Sequence, residues 1–257
     1  MKILLLGAKG CLGSYLYSHL CYAHTVHTDV IDNKYDYFIN CAGKTAVRYC
    51  EDNIEESLVS NGQLTENIAN RVNIGKIIYF SSYYVYDAEG PCDEFSRVSS
   101  ACMYSAHKLL GEKYTFGKGG LIFRLGKLYG HPNVHKQRRL TECILSDSSI
   151  TVDKTVFNPT SLETVKKAVL FELEHNNMQG IYNLSDKGRT THELYAKYIA
   201  HKAQLPIDIS VVDVVENFSL SNYGNFAMCT NKISKLIDLT PWETCMEEYL
   251  RRLGYEC

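Results

Sequence analysis

Long apolar runs, charge of one sign and proline are all scarce in this chain of 257 residues. No stretch approaches the ~20 apolar residues of a membrane span, so no spanning helix is expected. Leu4-Leu5-Leu6 behind Lys2 stops at Gly7, too short for the apolar region of a secretory signal. The net charge of −2 offers no basic field to nucleic acid or to an anionic membrane surface. Lys136-Gln137-Arg138-Arg139 is the one basic cluster and reads as a solvated turn. Ten cysteines are present, but with no secretion signal and no C-x-x-C pair they do not suggest a disulfide framework. Cys21-Tyr22-Ala23-His24 is an isolated metal-like spacing, so no metal site is expected. Repeats, low-complexity tracts and a clear linker are missing as well. What remains is a cytoplasmic protein with reduced thiols, long enough to bury a large core as one domain or as a main domain with a small appendage.

The first twenty residues organise the rest. Ile3-Leu4-Leu5-Leu6 is a continuous apolar run with the length of a strand buried on both faces. Gly7-Ala8-Lys9-Gly10-Cys11-Leu12-Gly13 follows at once, and Ser14 to Leu20 reads as a helix. This order opens a dinucleotide-binding βαβ unit. Gly7 allows the tight turn, Gly10 lets a pyrophosphate approach the backbone, and Gly13 lets helix and strand pack closely. The helix N-terminus adds free N–H groups and a partial positive charge. The spacing is G-x-x-G-x-x-G rather than G-x-G-x-x-G, and a tight turn without a ligand is the competing reading of the glycines alone.

Thr25 to Asp29 suits a second strand that ends on an acid. Asp29 there favours a free ribose 2′-OH, whereas Lys9 in the glycine loop favours a 2′-phosphate, so NADH and NADPH both stay open. Between Asp29 and Tyr35 there is no room for a helix, and the sheet must be trimmed. Tyr37 to Asn40 is the next strand, followed by a small-residue turn, Cys41-Ala42-Gly43, against which a cofactor can lie. Asn53 to Val72 reads as one helix; Lys76 to Phe80 and Leu121 to Leu125 read as strands. Strands alternating with helices specify a doubly wound parallel sheet. Beyond Tyr129, Thr160 and Glu163 are spaced as a capping box for a helix. Gly180 to Leu184 is a short strand, and Thr191 to Ala203 and Trp242 to Leu253 are helical. The expected division is a cofactor-binding domain over 1–155 and mainly a substrate-binding lobe over 156–257, with some segments returning to the main sheet.

The chemistry concentrates in Tyr104-Ser105-Ala106-His107-Lys108. On a helix Tyr104 and Lys108 share a face. A phenol titrates near 10, and a neighbouring ammonium lowers that value, so the pair can exchange a proton with an alcohol or ketone. Ser81-Ser82 ends the strand Lys76 to Phe80 and places hydroxyls at the sheet's carboxyl edge. One of them can hydrogen-bond the same substrate oxygen as Tyr104. His107 faces elsewhere on the helix and suits packing. Lys127 and Arg124 suit a diphosphate, with a structural ion pair as the other reading of Arg124.

Together these residues resemble an extended short-chain dehydrogenase/reductase of the NAD-dependent epimerase/dehydratase superfamily. The chain is most similar to the dTDP-4-dehydrorhamnose reductase branch. The matching segments are LLLGAKGCLG, FINCAGKTAV, FSSYYVYD, MYSAHKLLGE, FRLGKLYG, FNPTS, GIYNLSDKGRTT and DLTPWETCMEEYL, in order along nearly the whole chain. The resemblance implies an α/β fold, a Rossmann-type doubly wound parallel sheet with a small C-terminal substrate-binding lobe. It implies an NAD(P)H-dependent reductase of a nucleotide-linked 4-keto-6-deoxy sugar, in dTDP-rhamnose biosynthesis; a nucleotide-sugar epimerase or a non-catalytic regulatory subunit is the alternative. Tyr104 would be the general acid, Lys108 its partner and ribose anchor, and Ser82 the hydroxyl stabiliser. Gly7, Lys9, Gly10, Cys11, Leu12 and Gly13 would hold the cofactor, with Asp29, Cys41, Ala42, Gly43 and Lys44 along its length. Ser82, Tyr83, Tyr104 and Lys127 would meet the substrate. Ser82 stands where the branch usually has threonine, Tyr83 where it has aspartate, and Lys127 where a tryptophan meets the sugar; the segment after Asp29 is shortened. A nucleotide sugar and, at most, a second copy of the chain in a homodimer are the partners expected.

Overall fold

Six parallel strands make the central sheet: β1 (Lys2–Leu6), β2 (Thr25–His27), β3 (Lys34–Asn40), β4 (Asn73–Ser82), β5 (Leu121–Leu125) and β6 (Gly180–Leu184). Across the sheet they run β6-β5-β4-β3-β1-β2. The computed structural model describes residues 1–131, 139–213 and 224–257; Lys136, Gln137 and Arg138 of the basic cluster lie outside the described residues. From β1 the chain moves outward to β2, then crosses back to pair β3 on the other side of β1. This reversal puts the topological switch point between the carboxyl ends of β1 and β3, where open α/β sheets bind ligands.

The strands sit where their apolar runs require. Ile3, Leu4 and Leu5 of β1 and all of β5 are buried. On one face Leu16 and Leu20 of the Cys11–Leu20 helix and Val165 and Val169 of the Leu162–His175 helix pack on the sheet. On the other, Leu4, Phe38 and Ile77 pack with Ile68 and Val72. A separate core around Phe157, Tyr195, Trp242 and Met246 belongs to the C-terminal part. Asp186, wholly buried, ties that core to the sheet end. It accepts from Tyr129 Oη and Ser161 Oγ at 2.8 Å each and from Thr164 Oγ1 at 2.5 Å.

Four local expectations change. β2 is only Thr25–His27, so Asp29 sits in an exposed bend beyond the strand rather than at its end. β3 begins earlier, at Lys34, with no helix between it and β2. The Leu162–His175 helix is capped by Ser161, whose Oγ accepts from the Thr164 N–H at 3.1 Å, not by Thr160. The single helix expected over 53–72 is interrupted. Ile54–Ser57 and Leu64–Ala69 are α-helical, and Leu58–Gln63 between them is a π-helix. This segment packs closely on the Met103–Gly117 helix. The π-turn presents Asn61 and Gly62 inward, and a Cβ on Gly62 would lie 2.9 Å from Leu110 Cδ2.

Among the described residues no helix is long and apolar enough to cross a membrane. All ten cysteines are free.

Candidate active site

The glycine turn and the β3 turn are built against each other. Gly7 has φ +83°, and a Cβ there would lie 2.5 Å from Ala42 N and from the Cys41 carbonyl carbon. A Cβ on Gly13 would lie 2.1 Å from Gly7 O, which is why the helix can start directly above the turn. The Cys41 N–H donates to Leu6 O at 2.9 Å and holds the two strand ends in register. Gly10 is the helix N-cap, with no side chain closing the cap and no acid in the first turn. The first helical N–H groups and the dipole are therefore left for an anion. Cys11 and Leu12 are buried beneath; Lys9 and Asp29 are exposed.

Asn61, which the sequence reading passed over, fixes the other turn. Its Oδ1 accepts from the Lys44 N–H at 3.1 Å and its Nδ2 donates to Lys44 O at 2.9 Å and to Ser57 Oγ at 3.2 Å. No local pattern marks it, because the π-helix that turns it inward depends on packing across the fold. The Lys44 side chain points elsewhere, to Glu56 Oε1 at 2.6 Å.

The Met103–Gly117 helix brings the acid to the edge of β4. Cys102 caps it through a reciprocal pair with Ser105, and Glu51 Oε1 accepts from the Met103 N–H at 2.7 Å. One residue on, Tyr104 is buried, with Ser82 close enough to act on its phenol. Successive strand residues face opposite sides, so Ser82 and not Ser81 meets Tyr104; Ser81 Oγ finds no hydrogen-bond partner among the described residues. Ser82 Oγ also accepts from the Tyr84 N–H at 3.3 Å, which orients it.

The electrostatics differ from expectation. Burial pushes the Tyr104 phenol up, with the Ser82 hydrogen bond opposing. The hydrogen bond of Lys108 goes elsewhere. Its ammonium donates instead to Phe80 O at 2.9 Å, lies 4.9 Å from the Tyr79 ring centroid, and would be 3.3 Å from a Cβ on Gly43. Burial brings its pKa down to about 8. Lys108 thus borders the β3 turn at Gly43, on the helix face it shares with Tyr104. His107 is buried, with Nδ1 2.8 Å from Ser57 Oγ. Arg124 makes a two-pronged pair with Glu112 at 2.9 and 2.7 Å beneath the site, which settles its role as structural rather than diphosphate-binding.

Tyr83 and Tyr84 lie tilted against each other with ring centroids 4.5 Å apart, and Tyr84 meets the Tyr104 ring edge-on at 6.1 Å. Phe226, 5.9 Å from Tyr83, completes an aromatic wall. Lys127 opens the strand Lys127–Tyr129 just past β5. Its Nζ is 2.7 Å from His192 Nε2, and His192 Nδ1 is 2.7 Å from Asp153 Oδ1. Neither His192 nor Asp153 was singled out in the sequence; the three come from separate segments. Among the described residues no group of His, Cys, Asp or Glu is placed to hold a metal ion.

Solved structures share this fold. A dTDP-4-dehydrorhamnose reductase from Clostridium acetobutylicum superposes with a TM-score of 0.85 at 22% identity, over 99% of this chain and 100% of that one. Another from Bacillus anthracis, solved with NADP, gives 0.84 at 20% identity over 98% and 99%. RMD from Pseudomonas aeruginosa, complexed with NADPH, gives 0.79 at 17% identity over 98% of each chain. No curated protein matches the sequence. The family model described as the RmlD substrate binding domain matches residues 1–254, nearly end to end, and the chain belongs to that family.

Proposed function

We propose that this protein is an NADPH-dependent reductase of a dTDP-linked 4-keto-6-deoxy sugar, acting in dTDP-rhamnose biosynthesis in the cytoplasm. The observation that carries the reading is the buried Tyr104–Ser82 pair at the carboxyl edge of β4, on the same sheet edge as the uncapped glycine turn. The turn fits a dinucleotide. Gly7 and Gly13 leave no room for a side chain, and the helix start above them keeps its N–H groups for a pyrophosphate. Gly7, Gly10, Cys11, Leu12 and Gly13 are assigned to the pyrophosphate, Cys41, Ala42, Gly43 and Lys44 to the next stretch, and Lys108 to the nicotinamide ribose. Solved relatives that hold NADP or NADPH favour the phosphorylated cofactor, and we assign Lys9 rather than Asp29 to its 2′-phosphate. Bound there, the dihydronicotinamide supplies a hydride to a ketone carbon.

The remaining work falls to the chain. A reduction needs an acid that arrives with its proton. Burial keeps the Tyr104 phenol protonated at neutral pH, and Tyr104 donates that proton to the carbonyl oxygen as negative charge develops there. The Ser82 hydroxyl hydrogen-bonds the same oxygen and steadies the phenolate left behind. The Lys108 ammonium, fixed by Phe80 O, holds the ribose and adds positive potential. Residues from 156 onward are assigned to the nucleotide, using remote binding energy to place the ketone. The test is NADPH oxidation against dTDP-4-keto-6-deoxy sugars, with simple ketones as controls. Stoichiometric oxidation only with the nucleotide sugar is expected. Cofactor binding without any oxidation would replace the reading by a regulatory one, and turnover without net oxidation by an epimerase.

A further inference from the structure

We infer that Lys127, His192 and Asp153 form a sugar-reading subsite, in which Lys127 donates to the hydroxyl oxygen on the carbon next to the ketone and the other two residues position it. This rests on the nucleotide-sugar reading above. β4 and β5 pair Ser82 with Leu125, and Lys127 follows Leu125 by two residues, so it stands at the same sheet edge as the proposed acid site. An ammonium has donors and no acceptor. It therefore donates to His192 Nε2 at 2.7 Å, which fixes the imidazole proton on Nδ1, donated in turn to Asp153 Oδ1 at 2.7 Å. The bridge is neutral, since burial and Lys127 bring the His192 pKa down to about 4. A positive end at Lys127 is thus coupled through a neutral ring to a negative end at Asp153. Asp153 is held in turn by the Thr155 N–H at 2.9 Å, and its charge reaches Tyr83 and Tyr84 of the aromatic wall.

Lys127 has one hydrogen bond among the described residues, to His192; the Phe157 ring centroid lies 5.2 Å from its Nζ. Two N–H donors remain. Burial has brought its pKa down to about 8, so keeping the charge there is costly. A side chain that only filled space beside Phe157 would be better apolar, because a partly buried ammonium needs acceptors. In a 4-keto-6-deoxy sugar the ring carbon beside the ketone carries a hydroxyl, an acceptor of the kind those donors lack.

The test measures binding of dTDP-rhamnose and of dTDP by calorimetry in the presence of NADP⁺, for the wild type and for Lys127→Met, Lys127→Arg and Asp153→Asn. The quantity read is the affinity the sugar adds over dTDP alone. Lys127→Met is expected to cut that increment by about tenfold or more, the scale of one charge-assisted hydrogen bond. Lys127→Arg should keep most of it, and Asp153→Asn should lose part of it, with dTDP affinity within twofold throughout. In turnover Asp153→Asn should raise KM for the keto sugar while kcat stays within threefold. An unchanged increment in Lys127→Met, or no increment in the wild type, overturns the inference. Should Lys127→Met fail to fold, Asp153→Asn decides it on the same increment. A wild type that reduces no keto sugar yet shows the expected increments would sink the reductase reading and leave the subsite standing.

Discussion

Replacing Tyr104 by phenylalanine removes one oxygen and leaves a ring of the same size. That ring packs with Cys50 and Cys102 and meets Tyr84 edge-on at 6.1 Å, contacts that survive the change. The loss is at most one hydrogen bond to Ser82, whose Oγ keeps the Tyr84 N–H at 3.3 Å. One net hydrogen bond is worth about 1 kcal/mol. At this chain length that lowers the melting temperature by roughly 2–4 °C. The chemistry loses far more. Proton delivery by a positioned group contributes about 10²–10⁴ in rate, or roughly 3–5 kcal/mol of barrier. The assay is kcat from NADPH oxidation at saturating sugar, run beside the NADPH Kd by nicotinamide fluorescence and a thermal melt. A fall in kcat of a hundredfold or more with Kd within twofold is expected. A rate within threefold of wild type would refute Tyr104 as the acid, and a melting loss above about 10 °C would refute the packing account.

Three further outcomes follow from the same geometry. The pKa of Lys108 is brought down from 10.5 to about 8, so kcat/KM should fall on the alkaline side around that pH as the ammonium is lost. Stability should move the other way: between those values the unfolded chain binds more protons, so this group favours folding increasingly as pH rises, readable from urea midpoints. Gly13→Ala places a Cβ 2.1 Å from Gly7 O, a backbone atom that cannot swing aside. It should cost about 1–3 kcal/mol in urea unfolding and weaken NADPH binding at least tenfold. Glu112→Gln strands the Arg124 guanidinium in a buried site and should cost about 3–5 kcal/mol, whereas Glu112→Leu with Arg124→Met should recover most of it.

What the sequence made legible is what depends on neighbours in the chain. The β1–glycine turn–helix unit, the small turn after β3, the Gly180–Leu184 strand and the Tyr104–Lys108 helix all follow from local pattern. Contacts made across the fold were not legible. The π-helix that presents Asn61 packs against Leu110, far along the chain, and the Lys127–His192–Asp153 series joins three separate segments. Burial was the other hidden quantity. A Tyr and a Lys four residues apart suggest an ammonium that lowers a phenol, because spacing shows proximity and not solvent exclusion. In the fold, desolvation raises the phenol, while the lysine donates to a backbone carbonyl. For a reductase that arrangement has its own logic. The acid must hold its proton until the ketone oxygen becomes basic, and a phenol already lowered toward neutrality would have surrendered part of it to water.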